Sequence, residues 1–411
     1  MAWTLKDSGI EWIGQIPSDI ETIRLKYIAD ITTGNMDTQN KNDEGIYPFY
    51  VRSPIVEHSD EYSFDDTEAI LMAGDGVGAG RVFHLVSGKY GCHQRVYRLN
   101  NFKGVSARFL KYYLEVVFPM IMDYGSAKST VDSVRLPMIQ GVDVVMFDIK
   151  EQQKIVCFLD DKVSEIEAII SKTKKSIEEY KLYKQAVITE SVTKGLDSTV
   201  PMKDSGIEWI GKIPATWDVI PLKYKVLLNQ QTLSETTPPE YEFDYIEIGS
   251  VNLMDGIKQY EHMKYADAPS RARRIVKKDD IIVSTVRTYL KAIAKIPEKS
   301  NLIASTGFAV LTPRDINADY LAYMIKTDYF TETVTSNSVG VSYPAINASE
   351  LIGFKILLPS ADEQVKIAEY LDIKCAEIDA LIAKKEAFVE EMEAYKKSLI
   401  YEYVTGKKEV L

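Results

Sequence analysis

The sequence is poor in the residues that build redox, disulfide and metal chemistry. Its 411 residues contain only three cysteines and four histidines, namely Cys92, Cys157, Cys375, His58, His84, His93 and His262. An odd number of widely separated cysteines argues against a disulfide framework. The histidines show no spacing typical of metal ligands. We therefore expect no metal site and no disulfide in this chain.

Long apolar runs and an excess of positive charge are also missing. No stretch approaches the length of a membrane span, and the first residues lack the basic-then-apolar pattern of a signal peptide. These absences predict a cytoplasmic protein without a membrane partner. The net charge is -11, with 49 Lys and Arg against 60 Asp and Glu. Such a balance argues against indiscriminate coating of nucleic acid, although a local basic surface stays compatible with it.

What the sequence does contain is an internal repeat. Residues 6–17 read KDSGIEWIGQIP and residues 203–214 read KDSGIEWIGKIP, so 11 of 12 positions are identical at an offset of 197. Residues 151–195 align without gaps on residues 363–407 at an offset of 212, with 20 of 45 pairs identical. At this length two domains or more are expected. The repeat predicts two copies of one plan, each with a dodecamer, a variable block and a closing segment.

Each closing segment carries a heptad pattern, which predicts a long helix that pairs with another helix. Gly195 and Gly406 follow the two patterns and suit helix termination. Two such helices, one in each half, pair most simply with each other, and the alternative is that each packs on its own domain. The predicted seam consists of Leu159, Val163, Ile166, Ile170, Ile177, Leu371, Cys375, Ile378, Ile382 and Val389. Polar residues interrupt both seams at equivalent places, Thr173 and Lys385, then Lys184 and Lys396.

The variable blocks mix strand-like and helix-like segments, so the fold class is α+β with two homologous mixed α/β domains and two long helices. Strands are predicted over 69–72, 94–99, 280–283 and 307–311, and short helices over 107–117 and 318–326. We divide the chain into 1–150 (first variable domain), 151–195 (first long helix), 196–362 (second variable domain) and 363–411 (second long helix). The dodecamers at 6–17 and 203–214 open the two halves.

No catalytic constellation emerges from the motifs. The glycine-rich run at 73–80 follows an apolar segment, as in loops that bind phosphate or S-adenosylmethionine. A strand-like segment follows it, whereas a cofactor loop requires a helix, so we favour a hairpin turn. The Thr-Pro-Pro-Glu string at 237–240 lacks the polar first residue and the aromatic fourth residue of an adenine methyltransferase loop. We therefore predict a chain without an active site of its own.

Basic and polar residues cluster in both blocks, in types that suit base edges and phosphates. A solvated charge run is the alternative interpretation, and the duplicated architecture favours nucleic-acid binding. The predicted DNA-contacting residues are Arg81, His93, Gln94, Arg95, Lys128, Ser129, Arg271, Arg273, Arg274, Arg287, Tyr289 and Tyr343.

Taken together, the motifs resemble those of the specificity subunits of type I restriction–modification systems. The resemblance covers nearly the whole chain and is carried by the two KDSGIEWIG-x-IP copies, the EQ-x-KI-x3-LD starts of both closing segments, and the polar loops at 126–130 and 338–342. Residues 146–150 depart from the family because they lack its usual proline-rich strand exit, whereas 356–359 are closer to it.

The resemblance implies a function and a set of partners. Each variable domain would read one half of a bipartite, asymmetric site on double-stranded DNA, and the helices would form an antiparallel coiled coil that spaces these target-recognition domains. Two modification subunits and the restriction subunits would assemble on the chain. S-adenosylmethionine, ATP and Mg²⁺ would bind to those subunits, and none of them to this chain. The chain would thus belong to a restriction endonuclease and adenine-specific methyltransferase complex without being an enzyme itself.

Two other functions are compatible with parts of the sequence. One is a coiled-coil scaffold that binds proteins and does not read DNA, and the other is a free-standing methyltransferase that uses the glycine run. The repeated dodecamer has the composition of a packing element. We predict that it forms a joint in which Trp12 and Trp209 each anchor a variable domain to the end of the opposite helix, related by a pseudo-two-fold axis.

Overall fold

The computed structural model describes residues 4–125 and 133–410, and its contacts divide the chain into two compact units. The first comprises Met1–Lys175 with Glu386–Leu411, and the second comprises Ser176–Lys385. Each unit therefore contains one variable domain and a part of both long helices. The predicted DNA contacts Lys128 and Ser129 lie outside the described residues.

In the first half, the described residues (4–125 and 133 onward) form ten strands and three α-helices. The strands are β1 (Leu5–Asp7), β2 (Gln15–Pro17), β3 (Glu21–Arg24), β4 (Asp30–Thr33), β5 (Tyr47–Tyr50), β6 (Glu57–Ser59), β7 (Phe64–Ala73), β8 (Phe83–Cys92), β9 (Val96–Asn100) and β10 (Asp143–Met146). The helices are α1 (Ala107–Gly125), α2 (Leu136–Gln140) and the long α3 (Ile149–Lys194).

The second half repeats this plan with more strands. They are β11 (Met202–Asp204), β12 (Lys212–Pro214), β13 (Asp218–Pro221), β14 (Val226–Leu228), β15 (Glu242–Ile246), β16 (Val251–Asn252), β17 (Gly256–Ile257), β18 (Glu261–Lys264), β19 (Ala272–Val276), β20 (Ile281–Ser284), β21 (Ile293–Lys295), β22 (Leu302–Ser305), β23 (Phe308–Pro313) and β24 (Lys355–Leu358). The helices are α4 (Ala318–Ile325), α5 (Asp328–Ser336), α6 (Ala348–Leu351) and the long α7 (Ala361–Val404).

A six-stranded sheet forms the centre of the first variable domain, in the order β4-β9-β7-β8-β5-β6. The apolar end of β7, from Ala69 to Ala73, is buried, and α1 packs on β7 and β8. The glycine-rich run joins β7 to its antiparallel neighbour β8, which confirms the predicted turn. Gly76 and Gly80 have φ angles of +73° and +64°, a conformation that residues with a side chain rarely adopt.

Two four-stranded sheets build the second variable domain, in the orders β14-β23-β20-β21 and β18-β15-β22-β19. The segments predicted as strands at 280–283 and 307–311 form β20 and β23, which pair with each other. Their side chains are buried on both faces, because α4 and α5 cover one side and the second sheet packs on the other. This burial explains why both strands read as continuous apolar runs.

The long helices α3 and α7 contain 46 and 44 residues, which corresponds to about 70 Å and 66 Å at a rise of about 1.5 Å per residue. All ten residues predicted for the seam are buried. In the first unit, Glu167 on α3 pairs with Lys396 on α7, and Lys174 pairs with Glu393. Since numbers rise along one helix as they fall along the other, the two helices are antiparallel there.

The second unit contains the same pairing. Lys184 lies in the seam and its ammonium group donates to both carboxylate oxygens of Asp379, at 2.7 Å each. Lys184 and Lys396 are equivalent by the 212-residue repeat, and so are their acceptors Asp379 and Glu167. The seam position that departs from the apolar pattern thus forms one ion pair in each unit. A polar group in a seam fixes the register of the helices at a cost in stability.

The repeated dodecamers are short hairpins. β1 pairs with β2, and β11 pairs with β12 in the same register. The turn is held by its own polar side chains, because Asp7 accepts a hydrogen bond from the Gly9 amide and the Ser8 hydroxyl accepts one from the Ile10 amide. Equivalent bonds recur at Asp204 and Ser205. The polar residues of KDSGI therefore shape the turn.

Each hairpin docks on the C-terminal end of a long helix. In the first unit, the Lys407 ammonium group donates to the carbonyl oxygens of Ile13 and Gln15, at 2.7 and 3.2 Å. In the second unit, Lys194 at the end of α3 donates to the carbonyl oxygens of Ile210 and Lys212. The isoleucines next to these contacts are buried, namely Ile13, Ile16, Ile210 and Ile213.

The anchoring role predicted for Trp209 is wrong, because this side chain is 86% exposed. Its ring lines an open groove of about 930 Å³ between the end of α3 and α5. Trp217, outside the repeat, is fully buried instead, and its indole N–H donates to Glu363 at the start of α7. Trp12 is half-buried, and its backbone carbonyl accepts a hydrogen bond from Tyr401 on α7 at 2.7 Å.

A buried glutamine connects the start of each long helix to its variable domain. The Gln152 amide donates to the carbonyl oxygens of Gly104 and Phe147, at 3.0 and 2.7 Å, and its Oε1 accepts from the Ser106 amide at 2.8 Å. The equivalent Gln364 donates to Pro359 and accepts from the Asn317 amide. These residues are the Gln of the repeated EQ-x-KI string. Both copies of the repeat thus make the same structural contact, each within its own half.

Within residues 4–125 and 133–410, no helix is long and apolar enough to cross a membrane.

Candidate nucleic-acid interface

In the first unit, two arginines share one carboxylate. Arg52 follows β5, Asp75 follows β7, and Arg95 immediately precedes β9. The Asp75 side chain is only 15% exposed, and its Oδ1 accepts from Arg52 at 3.0 Å while its Oδ2 accepts from Arg95 at 2.8 Å. A carboxylate that is bound on both oxygens restricts both guanidinium groups. Asp75 also forms an isolated β-bridge with Ser133, so its backbone is held as well.

His93 contacts the backbone of Arg95 and so adds to this arrangement. Its Nδ1 accepts from the Arg95 amide at 3.0 Å, so in the neutral ring the proton resides on Nε2, which lies 3.5 Å from the Thr38 hydroxyl. Burial, followed by the charge of Arg52, lowers the pKa of His93. The ring is therefore neutral at pH 7 and adds a fixed hydrogen-bonding contact without adding a charge.

The other predicted residues of the first unit lie around the same place. Gln94 donates to Asp37 at 3.1 Å, and Arg81 lies 3.5 Å from Asp123. A cavity of about 650 Å³ opens here, and Arg52, Asp75, Arg81 and His93 are among the residues that line it. The tip of the glycine-rich turn stands beside it with Val77 95% exposed.

Not every arginine of this unit faces solvent. Arg98 is three residues from Arg95 in the sequence, yet its guanidinium group forms a buried ion pair with Asp66 and also donates to the Tyr90 hydroxyl. Hydrogen bonds from Arg98 and Tyr90 outweigh the effect of burial and lower the pKa of Asp66. This group belongs to the core of the sheet, whereas Arg52 and Arg95 are exposed.

In the second unit, the turn after β20 occupies the place of the glycine-rich turn. Arg287 stacks over the ring of Tyr343 with 5.1 Å between guanidinium carbon and ring centroid. The polar loop that carries Tyr343 is fixed to the turn, because Val286 forms a β-bridge with Ala345 and the Thr288 hydroxyl donates to Ser338 at 2.8 Å. The neighbouring Tyr289 is exposed.

This turn is strained at both ends. Arg287 and Lys291 have φ angles of +51° and +46°, although neither is a glycine. Such residues each cost about 1–3 kcal/mol and concentrate at functional sites. The structure therefore brings Arg287, Tyr289 and Tyr343 together on one rigid, exposed element.

Arg273 and Arg274 lie on β19 in the other sheet of this unit, and Arg271 immediately precedes this strand. Arg271 pairs with Glu247, and Arg273 stacks on Tyr265 at 4.9 Å. Arg274 is half-buried and forms a β-bridge with Thr232. These residues make their contacts within that sheet, whereas Arg287 makes its contacts with the polar loop.

Sequence reasoning missed Arg52 and Asp75. Arg52 lies outside the basic stretches, and Asp75 carries the charge opposite to that expected of a DNA contact. The only available signal was the glycine-rich turn around Asp75, which predicts a special backbone conformation and not a charged partner.

The two units share one structural frame, which consists of the hairpin, the fold of the variable domain and the long helices, and they differ in their charged surfaces. The family model of the type I restriction modification DNA specificity domain matches residues 17–179 and 218–391. The chain belongs to this family and contains its domain twice, which confirms the resemblance inferred from the repeated motifs. The two domains recognise DNA sequence.

Comparison with individual proteins agrees over nearly the full length. The chain is 23% identical to the type I restriction enzyme MjaVIII specificity subunit of Methanocaldococcus jannaschii, over 96% of this chain and 94% of that protein. It is 22% identical to the EcoDI specificity subunit of Escherichia coli, over 90% and 84%. A chain from a solved structure on complex assembly and conformational transition of the type I R-M system is similar in fold, with a TM-score of 0.68, 16% identity and coverage of 96% and 99%.

Proposed function

We propose that this chain is the non-catalytic specificity subunit of a type I restriction–modification complex, in which each unit reads one half of a bipartite, asymmetric DNA site. The observation that supports this most directly is that two different arginine-containing surfaces stand on one duplicated frame. In the first unit Arg52 and Arg95 share Asp75, and in the second Arg287 stacks on Tyr343. Identical readers would require a palindrome, whereas different readers specify an asymmetric site.

The coiled coil sets the distance between the half-sites and docks two modification subunits. Support comes from large apolar side chains that are exposed on the long helices, among them Leu182, Tyr183, Ile373 and Tyr395. Exposed apolar surface of this kind marks protein interaction sites. The exposed Trp209 beside its groove fits the same role, since tryptophan is enriched at the centres of protein interfaces. Restriction subunits join this assembly, and S-adenosylmethionine, ATP and Mg²⁺ bind in the partner subunits.

Methylation mapping tests this function. The chain is expressed with its modification subunit, and modified adenines are mapped across the host genome by single-molecule sequencing. We expect one bipartite motif with a fixed spacer. A second strain carries residues 215–350 replaced by the equivalent block of a relative, and there we expect one half of the motif to change while the other half and the spacer persist. No sequence preference at all would favour a protein-binding scaffold, and a change in both halves would contradict separate reading.

A further inference from the structure

We propose that Arg52 and Arg95 form a guanine-reading pair in the first unit, and that Asp75 is the positioning residue that holds them. This inference rests on the proposed function, because it specifies which base edge the first unit reads. It also adds two residues, Arg52 and Asp75, that the sequence pattern did not indicate.

The charge balance of the cluster leaves it cationic. One carboxylate neutralises one of the two guanidinium groups, so the trio carries a net charge of about +1. The neighbouring His93 is neutral, because its Nδ1 accepts a hydrogen bond from the Arg95 amide. The Arg52 and Arg95 side chains are 47% and 62% exposed, although one nitrogen of each is bound to Asp75. Each guanidinium has five N–H donors, so each keeps donors outside its bond to Asp75. Arg52 lines the cavity, and Arg95 is exposed to solvent.

The geometry suits a base edge better than a phosphate. Guanine presents two adjacent acceptors, N7 and O6, in the major groove, and a guanidinium group can donate to both. Arginine also binds phosphate, often through two hydrogen bonds, but such a contact carries no direct sequence information. Here the side chains are held by a mostly buried carboxylate whose backbone is bridged to Ser133. Such preorganisation lowers the entropy lost on binding and is useful where direction matters.

The surrounding shape agrees with entry into a groove. The turn that carries Asp75 lines the cavity, and its tip residue Val77 is almost fully exposed. An exposed turn tip can reach base edges that a flat surface cannot. Gly78 keeps this turn close to the Arg52 loop, because a Cβ at Gly78 would lie 2.4 Å from the Arg52 carbonyl oxygen. The turn and the arginine loop therefore form one element.

The experiment uses the complex of this chain with its modification subunit, the mapped motif, and four variants of the chain. Arg52→Lys and Arg95→Lys keep the charge and remove the planar fork, and Asp75→Asn removes the shared acceptor charge. Arg24→Lys is the matched control, because Arg24 is an exposed arginine of the same unit on β3 that lies 4.0 Å from Asp143. Motif fidelity is read by methylation mapping, and affinity is read on duplexes in which each guanine of the first half-site is replaced in turn by 7-deazaguanine.

We expect Arg52→Lys and Arg95→Lys each to reduce discrimination at a guanine of the first half-site by about 5- to 150-fold, the range of one bidentate contact. Asp75→Asn should relax the same positions, and the second half-site should stay unchanged in all variants. With the unaltered chain and Arg24→Lys, 7-deazaguanine at those positions should weaken binding. Each lysine variant should lose part or all of this sensitivity at the guanine that its replaced arginine contacts.

A uniform loss of methylation at all sites with an intact motif would overturn the proposal, because it would make these arginines phosphate contacts. Equal sensitivity of the lysine variants and the unaltered chain to 7-deazaguanine would overturn it as well. A failure of the proposed function would look different, since the unaltered complex would then show no bipartite motif.

Discussion

Replacing the buried Gln152 by alanine should loosen the connection between α3 and the first variable domain. The substitution leaves three backbone groups without their partner, namely the Ser106 amide and the carbonyls of Gly104 and Phe147. Each unsatisfied buried group costs about 1–3 kcal/mol, and solvent that enters the space offsets part of this. We therefore expect Gln152→Ala to lower the free energy of unfolding by about 2–4 kcal/mol. The equivalent Gln364→Ala, with two such groups, should cost about 2 kcal/mol.

The neighbouring Gln153 is the matched control, because it is exposed on the same helix turn. Gln153→Ala should change stability by no more than about 0.5 kcal/mol. Urea unfolding followed by circular dichroism gives the free energies, and hydrogen exchange localises the effect. In Gln152→Ala the Ser106 amide should lose protection, whereas in Gln153→Ala it should keep it. Equal unfolding free energies for the two variants would refute the reasoning.

Gln152→Glu separates hydrogen bonding from packing, since it keeps the shape of the side chain. A carboxylate there would face the Phe147 and Gly104 carbonyl oxygens, which already lie 2.7 and 3.0 Å from the amide nitrogen. Three acceptors would then meet without a proton between them, so the folded state favours the protonated acid and raises the pKa of the introduced group. The variant should be less stable than the native chain at pH 7, and its deficit should shrink as the pH falls.

Three further predictions concern the helix ends, the seam and the arginine cluster. Gly406→Ala should destabilise the first unit by about 1–3 kcal/mol more than Gly9→Ala, because both have positive φ but only the Gly406 Cβ would meet another residue, at 2.6 Å from Pro17; equal unfolding free energies would contradict this. Lys184→Met should cost about 1 kcal/mol, below the value for a fully buried pair because Asp379 is half-exposed, and a double-mutant cycle with Asp379→Asn should give a favourable coupling energy rather than zero. The pKa of His93 is lowered in the folded state, so the unfolded chain binds a proton more readily, and the stability that His93 contributes should fall as the pH drops below about 6.5. The urea midpoints at pH 7.5 and pH 5.5 should therefore differ less in His93→Gln than in the native chain. An unchanged difference would contradict this.

Local patterns predicted most of the frame. The heptad seams follow from residues that are three and four positions apart, so Leu159 and Ile378 could be placed without tertiary information. Trp209 was misjudged because repetition marks residues that belong to the frame, whether or not they are buried. Trp217 has no counterpart in the repeat, since Ile20 stands in the equivalent place, and it is nevertheless the buried anchor.

The arginine cluster could be predicted only in part. Arg95 lies in a basic stretch, but Arg52 and Asp75 are 23 residues apart, and they follow strands that β8 separates in the sheet. A repeating pattern in the sequence does not show that two such distant residues are in contact. The positive φ of Arg287 could not be predicted either, because arginine is not a residue type that favours this backbone conformation.

The docking of each hairpin through backbone carbonyls has an evolutionary consequence. Lys407 and Lys194 bind carbonyl oxygens, which every residue possesses, so these bonds impose no condition on the side chains of the block that follows the hairpin. Selection can therefore act on the reading surface and on the frame almost independently. A new sequence preference can be acquired by exchange of a whole block between two hairpin boundaries, without compensating changes at Lys407 and Lys194.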